Sequence, residues 1–159
     1  MTTYERIVVG QSFSCGSHLF STEDIKRFAA MYDPQPFHTD EIAAADSHFG
    51  ALCASGWHTA AAMMRRLVTH FSAEIEASRA RGEAAPNLGP SLGFDDLKWR
   101  KPVYAGDTIA FAGRIVSKRA SDSQPGWGIV SIESTGVNQH GETVFSFVGH
   151  VLVAMSTSQ

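Results

Sequence analysis

The 159-residue chain carries 43% apolar and 18% charged residues and a net charge of −3. One domain of that size buries roughly two-thirds of its unfolded surface without help from disulfides or metals, so residues 1–159 read as one globular domain. The weak negative charge gives no electrostatic case for nucleic acid or an anionic membrane, and the expected partner is a small molecule or another protein. No stretch approaches the ~18 uninterrupted apolar residues of a membrane span. "MTTYERIVVG" has neither a cationic start followed by a long apolar run nor a cleavage site, and Cys15 and Cys53 lack metal-like spacing. These features predict a cytoplasmic protein with two free thiols.

Along the chain, a short strand pair is expected first. A helix follows: Ser21 can cap it with Asp24 reaching back, and Ile25, Phe28, Ala29 and Tyr32 fall on one face. Pro34 ends it. In "TDEIAAADS" Thr39 is a possible cap, and Phe49-Gly50 closes the segment. From Ser55, Trp57, Ala60, Ala61, Met64, Leu67, Val68, Phe71 and Ile75 keep a 3.6-residue period for about five turns, which predicts one long helix buried along that face. After the hydrophilic break "RARGEAAPNLGP", four β-rich segments are separated by "KPVYAG", "SDSQPG" and "NQHG". Such short gaps imply an antiparallel meander, and the last strand, apolar on both faces, is expected to be central and covered on both sides. The class is α+β: one antiparallel sheet wrapped on one long helix.

The chemistry concentrates in "DPQPFHTD". Residues before proline avoid the helical region, so the two prolines should hold Asp33 and Gln35 extended and the whole turn stiff. Little entropy is then lost in fixing Asp33 against His38, with Phe37 anchoring the turn in the core. A carboxylate beside a histidine can transfer protons near neutral pH. The same residues also suit a turn with caps, and Asp33, His38 and Asp40 are possible metal ligands, so spacing alone does not decide among the three. A second feature is Ser55-Gly56 at the start of the long helix, where unpaired N–H groups and the helix dipole favour a developing oxyanion and Trp57 can wall a cleft. Ser55 is equally an ordinary cap there.

The run "DPQPFHTD", then "FGALCASG" and the long helix, then "DLKWRKPVYAGDTI" and a strand meander, resembles the MaoC-like acyl dehydratases and (R)-specific enoyl-CoA hydratases of the hot-dog fold. The resemblance covers about residues 10 to 155, and Asp33, Pro36, His38 and Asp40 match its motif in order and spacing. It implies that Asp33 and His38 activate the water that adds to a trans-2-enoyl thioester, and that the Gly56 N–H polarises the thioester carbonyl. Gln35, Phe37, Asp40, Ser55 and Trp57 are the candidate substrate-binding residues. No metal or redox cofactor is expected, coenzyme A enters as part of the substrate, and a homodimer or higher homo-oligomer is implied. Gln35 and Ser55 depart from the usual Asn and from a frequent His, which bears on the substrate more than on the reaction.

A hot-dog thioesterase is the nearest rival. It typically carries an acidic residue on the central helix, whereas residues 56 to 72 hold none. A non-catalytic acyl-CoA-binding or partner subunit is the third reading. Among the other residues, His18, His48, His58, His70, His140 and His150 read as structural or solvated and Cys53 as packing. Lys98, Arg100 and Lys101 fit either a solvated edge or coenzyme A phosphates.

Overall fold

The computed structural model describes residues 3–156. Five strands form one antiparallel sheet in the order β1-β3-β4-β5-β2: β1 Ser12–Leu19, β2 Leu88–Trp99, β3 Thr108–Ala120, β4 Trp127–Val137 and β5 Thr143–Ala154. Four helices precede β2: α1 Thr22–Tyr32, α2 Pro36–Thr39, α3 Glu41–Ala45 and the 25-residue α4 Gly56–Ala80. The architecture is the α+β one expected, with α4 against the sheet.

Several local expectations change. A single strand, β1, stands where a strand pair was predicted, because its partner is the distant β3 and the chain before it makes only a 3-10 turn at Tyr4–Arg6. Only β3-β4-β5 is a meander. The chain crosses the sheet between β2 and β3, laying residues 100–107 beside the segment that leads into α4, where Ala54 N–H donates to the Val103 carbonyl and Cys53 pairs with Tyr104. Strand β5 lies inside the sheet but is buried at its ends, at Val144, Phe145, Leu152 and Val153, and only half-buried between them.

The buried face of α4 is offset from the predicted stripe. Thr59, Ala62, Met63 and Leu67 point inward with His58, and the helical members of the core meet Phe20, Ile25, Ile109, Phe111, Val144 and Phe145. Trp57, Met64 and Val68 are instead about half exposed. A 25-residue helix carrying apolar residues on more than one face can satisfy its core with either arc. Here Met64, Val68 and Phe71 line an apolar groove of about 320 Å³ with Leu88, Phe94 and Phe147.

Candidate active site

Asp33 closes α1. Its N–H still bonds to the Ala29 carbonyl, but its backbone has left the helical region, as Pro34 requires. The chain does not stay extended to His38, however. Pro36 opens the one-turn helix α2, which carries Phe37 and His38, because a proline restricts the residue before it and is itself well suited to a first helical position. Gln35 is the extended residue before that turn. Asp40, not Thr39, caps α3, its carboxylate accepting from the Ala43 N–H at 2.8 Å. The Asp40 side chain is exposed and is not among the residues that line the cleft.

The pair itself is assembled as expected. Asp33 Oδ2 lies 3.5 Å from His38 Nε2, with His38 buried and Asp33 partly exposed. His38 Nδ1 sits 2.6 Å from the Cys53 carbonyl oxygen, which can only accept, so Nδ1 carries a proton and Nε2 is the nitrogen presented toward Asp33. Asp33 receives hydrogen bonds from Gln35 Nε2 to Oδ1 at 2.8 Å and from Ser55 Oγ to Oδ2 at 2.7 Å. Burial pushes the Asp33 pKa up, but those two hydrogen bonds, with the His38 charge when that ring is protonated, hold it below the ordinary carboxylate value. The carboxylate is therefore ionised at neutral pH.

Ser55, fully buried, joins two parts of the site. Its hydroxyl donates to Asp33 and accepts from the Trp57 N–H at 3.3 Å, capping α4. Gly56 is the first residue of α4, and its N–H has no acceptor among the described residues. Phe37 and Phe49 pack edge-on at 5.0 Å, and Phe37 also meets the His38 ring at 4.6 Å, which fixes the imidazole plane.

Asp33, Gln35, Phe37, His38, Gly56 and Trp57 all line one cleft of about 450 Å³. Ser55 supports it from below. The sequence reading missed three contributors. The Cys53 carbonyl that sets the tautomer is backbone and leaves no residue-type signal. Phe49, assigned only to loop closure, walls the cleft. Trp99, at the end of β2, covers Gly56, and its one signal was a large aromatic just before the "RKP" turn. Arg100 and Lys101 reach the cleft rim; Lys101 pairs with Glu142, and Arg100 Nε donates to Ser146 Oγ. Cys53 Sγ is 3.7 Å from His38 Nδ1, but burial pushes its pKa up to about 11 and that nitrogen already serves the carbonyl, so the thiol stays protonated.

The match to known proteins accords with this geometry. The family model described as "MaoC like domain" matches residues 8–138. The chain belongs to that family. A MaoC-like dehydratase from Rhodospirillum rubrum is 35% identical in its crystal structure, with 99% of this chain and 100% of that one covered and a TM-score of 0.82. The protein YdeM of Bacillus subtilis, itself uncharacterized, is 28% identical over 149 residues, 94% of this chain and 96% of that one. A mesaconyl-CoA hydratase from Cereibacter sphaeroides is 32% identical over 76 residues, 45% of this chain but only 22% of that longer protein. The five-stranded sheet with its long helix is the hot-dog fold that the sequence resemblance implied. Among the described residues no helix is long and apolar enough to cross a membrane, and no three metal-ligating side chains cluster.

Proposed function

We propose that the protein reversibly hydrates a trans-2-enoyl-CoA, and in the other direction dehydrates the 3-hydroxyacyl-CoA. The observation that carries this reading is the pair of facing acceptors. His38 Nε2 and the Asp33 carboxylate are 3.5 Å apart, beyond good hydrogen-bond length, and neither has a proton to offer the other while the imidazole is neutral. A water bridging them donates one hydrogen to each and directs its oxygen lone pair into the cleft. That oxygen adds to C3 of the enoyl group while the C2=C3 electron pair moves toward the thioester carbonyl. The carbonyl oxygen gains negative charge, which the free Gly56 N–H and the start of α4 stabilise. The proton lost by the water passes to the Asp33/His38 pair and a proton from the pair is delivered to C2, so H and OH are added and the enzyme is restored. The thioester is the electron sink, and no further cofactor enters this scheme.

The rival thioesterase reading fits less well. The first carboxylate of α4 is Glu74, more than four turns beyond Gly56, and it lies by Phe13 and His70, away from the cleft. A non-catalytic binding role leaves the Ser55 and Gln35 hydrogen bonds to Asp33 without a purpose. A homodimer accompanies the proposal: β2 is an edge strand that exposes Leu92 and Phe94, and a second copy is the simplest cover for it. Sedimentation as a monomer at micromolar concentration would refute that part.

The test is loss of enoyl-thioester absorbance with crotonyl-CoA and a longer enoyl-CoA, for the wild type, Asp33→Asn and His38→Ala. Both variants should fold and lose at least about a hundredfold in kcat. Tight binding of both thioesters without turnover by the wild type would overturn the hydratase reading in favour of a binding role.

A further inference from the structure

The indole of Trp99 sits directly on Gly56. The atoms nearest the position a Cβ would take there are Cε2, Nε1 and Cδ2, with Nε1 at 2.6 Å, so the face of the pyrrole ring lies over the start of α4 and brings its nitrogen beside Gly56. The residue is held at both ends: its backbone pairs with Phe145 across the β2–β5 ladder, and its ring meets Trp57 edge-to-face at 5.1 Å and 81°. Trp99 lines the same cleft as Asp33, His38 and Gly56. An indole N–H can only donate, and it ordinarily finds an acceptor when partly buried. Among the described residues the Trp99 N–H has none.

Two donors without a protein acceptor among the described residues thus border the cleft that holds Asp33 and His38, the Gly56 N–H from the helix and the N–H of the half-exposed Trp99 from the edge strand. We propose that Trp99 is a second catalytic hydrogen-bond donor, its Nε1–H binding the thioester carbonyl oxygen beside the Gly56 N–H. This rests on the reading of the cleft as an enoyl-thioester site. Placing donors where charge develops, in a cleft already walled by aromatic rings, accelerates the step because no donor must reorganise as the enolate forms. It also gives glycine at position 56 a steric reason, since any side chain there would displace the indole.

The test separates the donor from the ring. Trp99 is changed to Phe and, by non-natural incorporation, to 3-benzothienylalanine, which keeps the bicyclic shape and replaces N–H by sulfur. Two readouts are taken: kcat and KM with crotonyl-CoA, and the infrared carbonyl stretch of bound butyryl-CoA labelled with ¹³C at the thioester carbon, which cannot be hydrated. The proposal expects the wild type to lower the carbonyl frequency on binding. Both variants should bind butyryl-CoA with a smaller shift and lose roughly 10- to 100-fold in kcat, with KM within about threefold, as for the loss of one oxyanion donor. A sulfur variant with wild-type kcat and carbonyl shift would overturn it, leaving Trp99 as a wall while hydration stands. A wild type that binds butyryl-CoA with no carbonyl shift would also overturn it. Failure of the wild type to bind or turn over either thioester would refute the cleft assignment itself, and the donor with it.

Discussion

Acid should destabilise this protein through His58. The imidazole is buried on the inner side of α4, stacked in parallel on Phe28 at 4.7 Å and edge-on to Phe20 at 4.9 Å, with His18 6.2 Å away. Its Nδ1 has no hydrogen-bond partner. Burial, reinforced by the His18 charge, pulls its pKa down from 6.5 to about 4. In the unfolded chain the ring takes up a proton near its ordinary pKa of about 6.5, whereas the folded chain resists protonation until about pH 4. Between those limits the unfolded state binds more protons, so this contribution to stability is intact above pH 6.5 and declines as pH falls toward 4. At about 1.36 kcal/mol for each pH unit the ceiling is roughly 3 kcal/mol, and water reaching the opened site reduces it to about 2. Urea denaturation followed by circular dichroism, at steps from about pH 7 to about pH 4.5, should show wild-type stability falling relative to His58→Phe by about that amount. The absolute offset between the two proteins is immaterial, because Phe also changes packing. An offset that stays constant across the range would show that His58 is not held neutral by its surroundings.

Two further substitutions probe the cleft and its support. Gln35→Ala removes one of the hydrogen bonds that hold the Asp33 pKa down. The Asp33 carboxylate should then protonate at higher pH, and the acid limb of the kcat/KM profile for crotonyl-CoA should move upward; an unmoved limb would mean that Asp33 is not the group titrating there. Asp40→Ala deletes the α3 cap and should cost about 1 kcal/mol of stability, with KM unchanged because the side chain is engaged by the Ala43 N–H and does not line the cleft. A raised KM at unchanged stability would restore Asp40 as a substrate contact.

Much of the fold is legible in the sequence because it rests on local rules. Ser21 caps α1 as expected, accepting from the Asp24 N–H at 3.1 Å, although the Asp24 side chain pairs with Arg27 instead of reaching back. Ser55 caps α4, and the four strands after the break lie where their β-branched and aromatic residues predict. What the sequence does not reveal is long-range. Nothing local to "SFSCGSHL" says that its partner is β3, a hundred residues away, or that the 100–107 crossover builds one wall of the cleft. For α4, periodicity finds the helix but not its orientation, because Met63 and Met64 are adjacent and tertiary packing alone chooses which of them enters the core.

The site shows the same division between local rule and tertiary choice. Sequence pairs Asp33 with His38 and attributes their approach to two prolines that forbid helix, but the prolines act in opposite ways. Pro34 ends α1 so that Asp33 turns out of the helix, and Pro36 begins α2, whose single turn swings His38 inward to the Cys53 carbonyl. An extended segment of that length would leave the imidazole free to choose its tautomer. The one-turn helix instead ties Nδ1 to a backbone acceptor, and that bond, contributed by the chain just before Ser55, makes Nε2 the face presented to Asp33. Since Ser55 also donates to Asp33, the five residues from Leu52 to Gly56 hold both Asp33 and His38 and supply the Gly56 N–H at the start of α4. In the proposed hydration, acid, base and oxyanion donor are therefore coupled through one short backbone stretch. A shift of that stretch by even a fraction of an ångström would be felt at all three together.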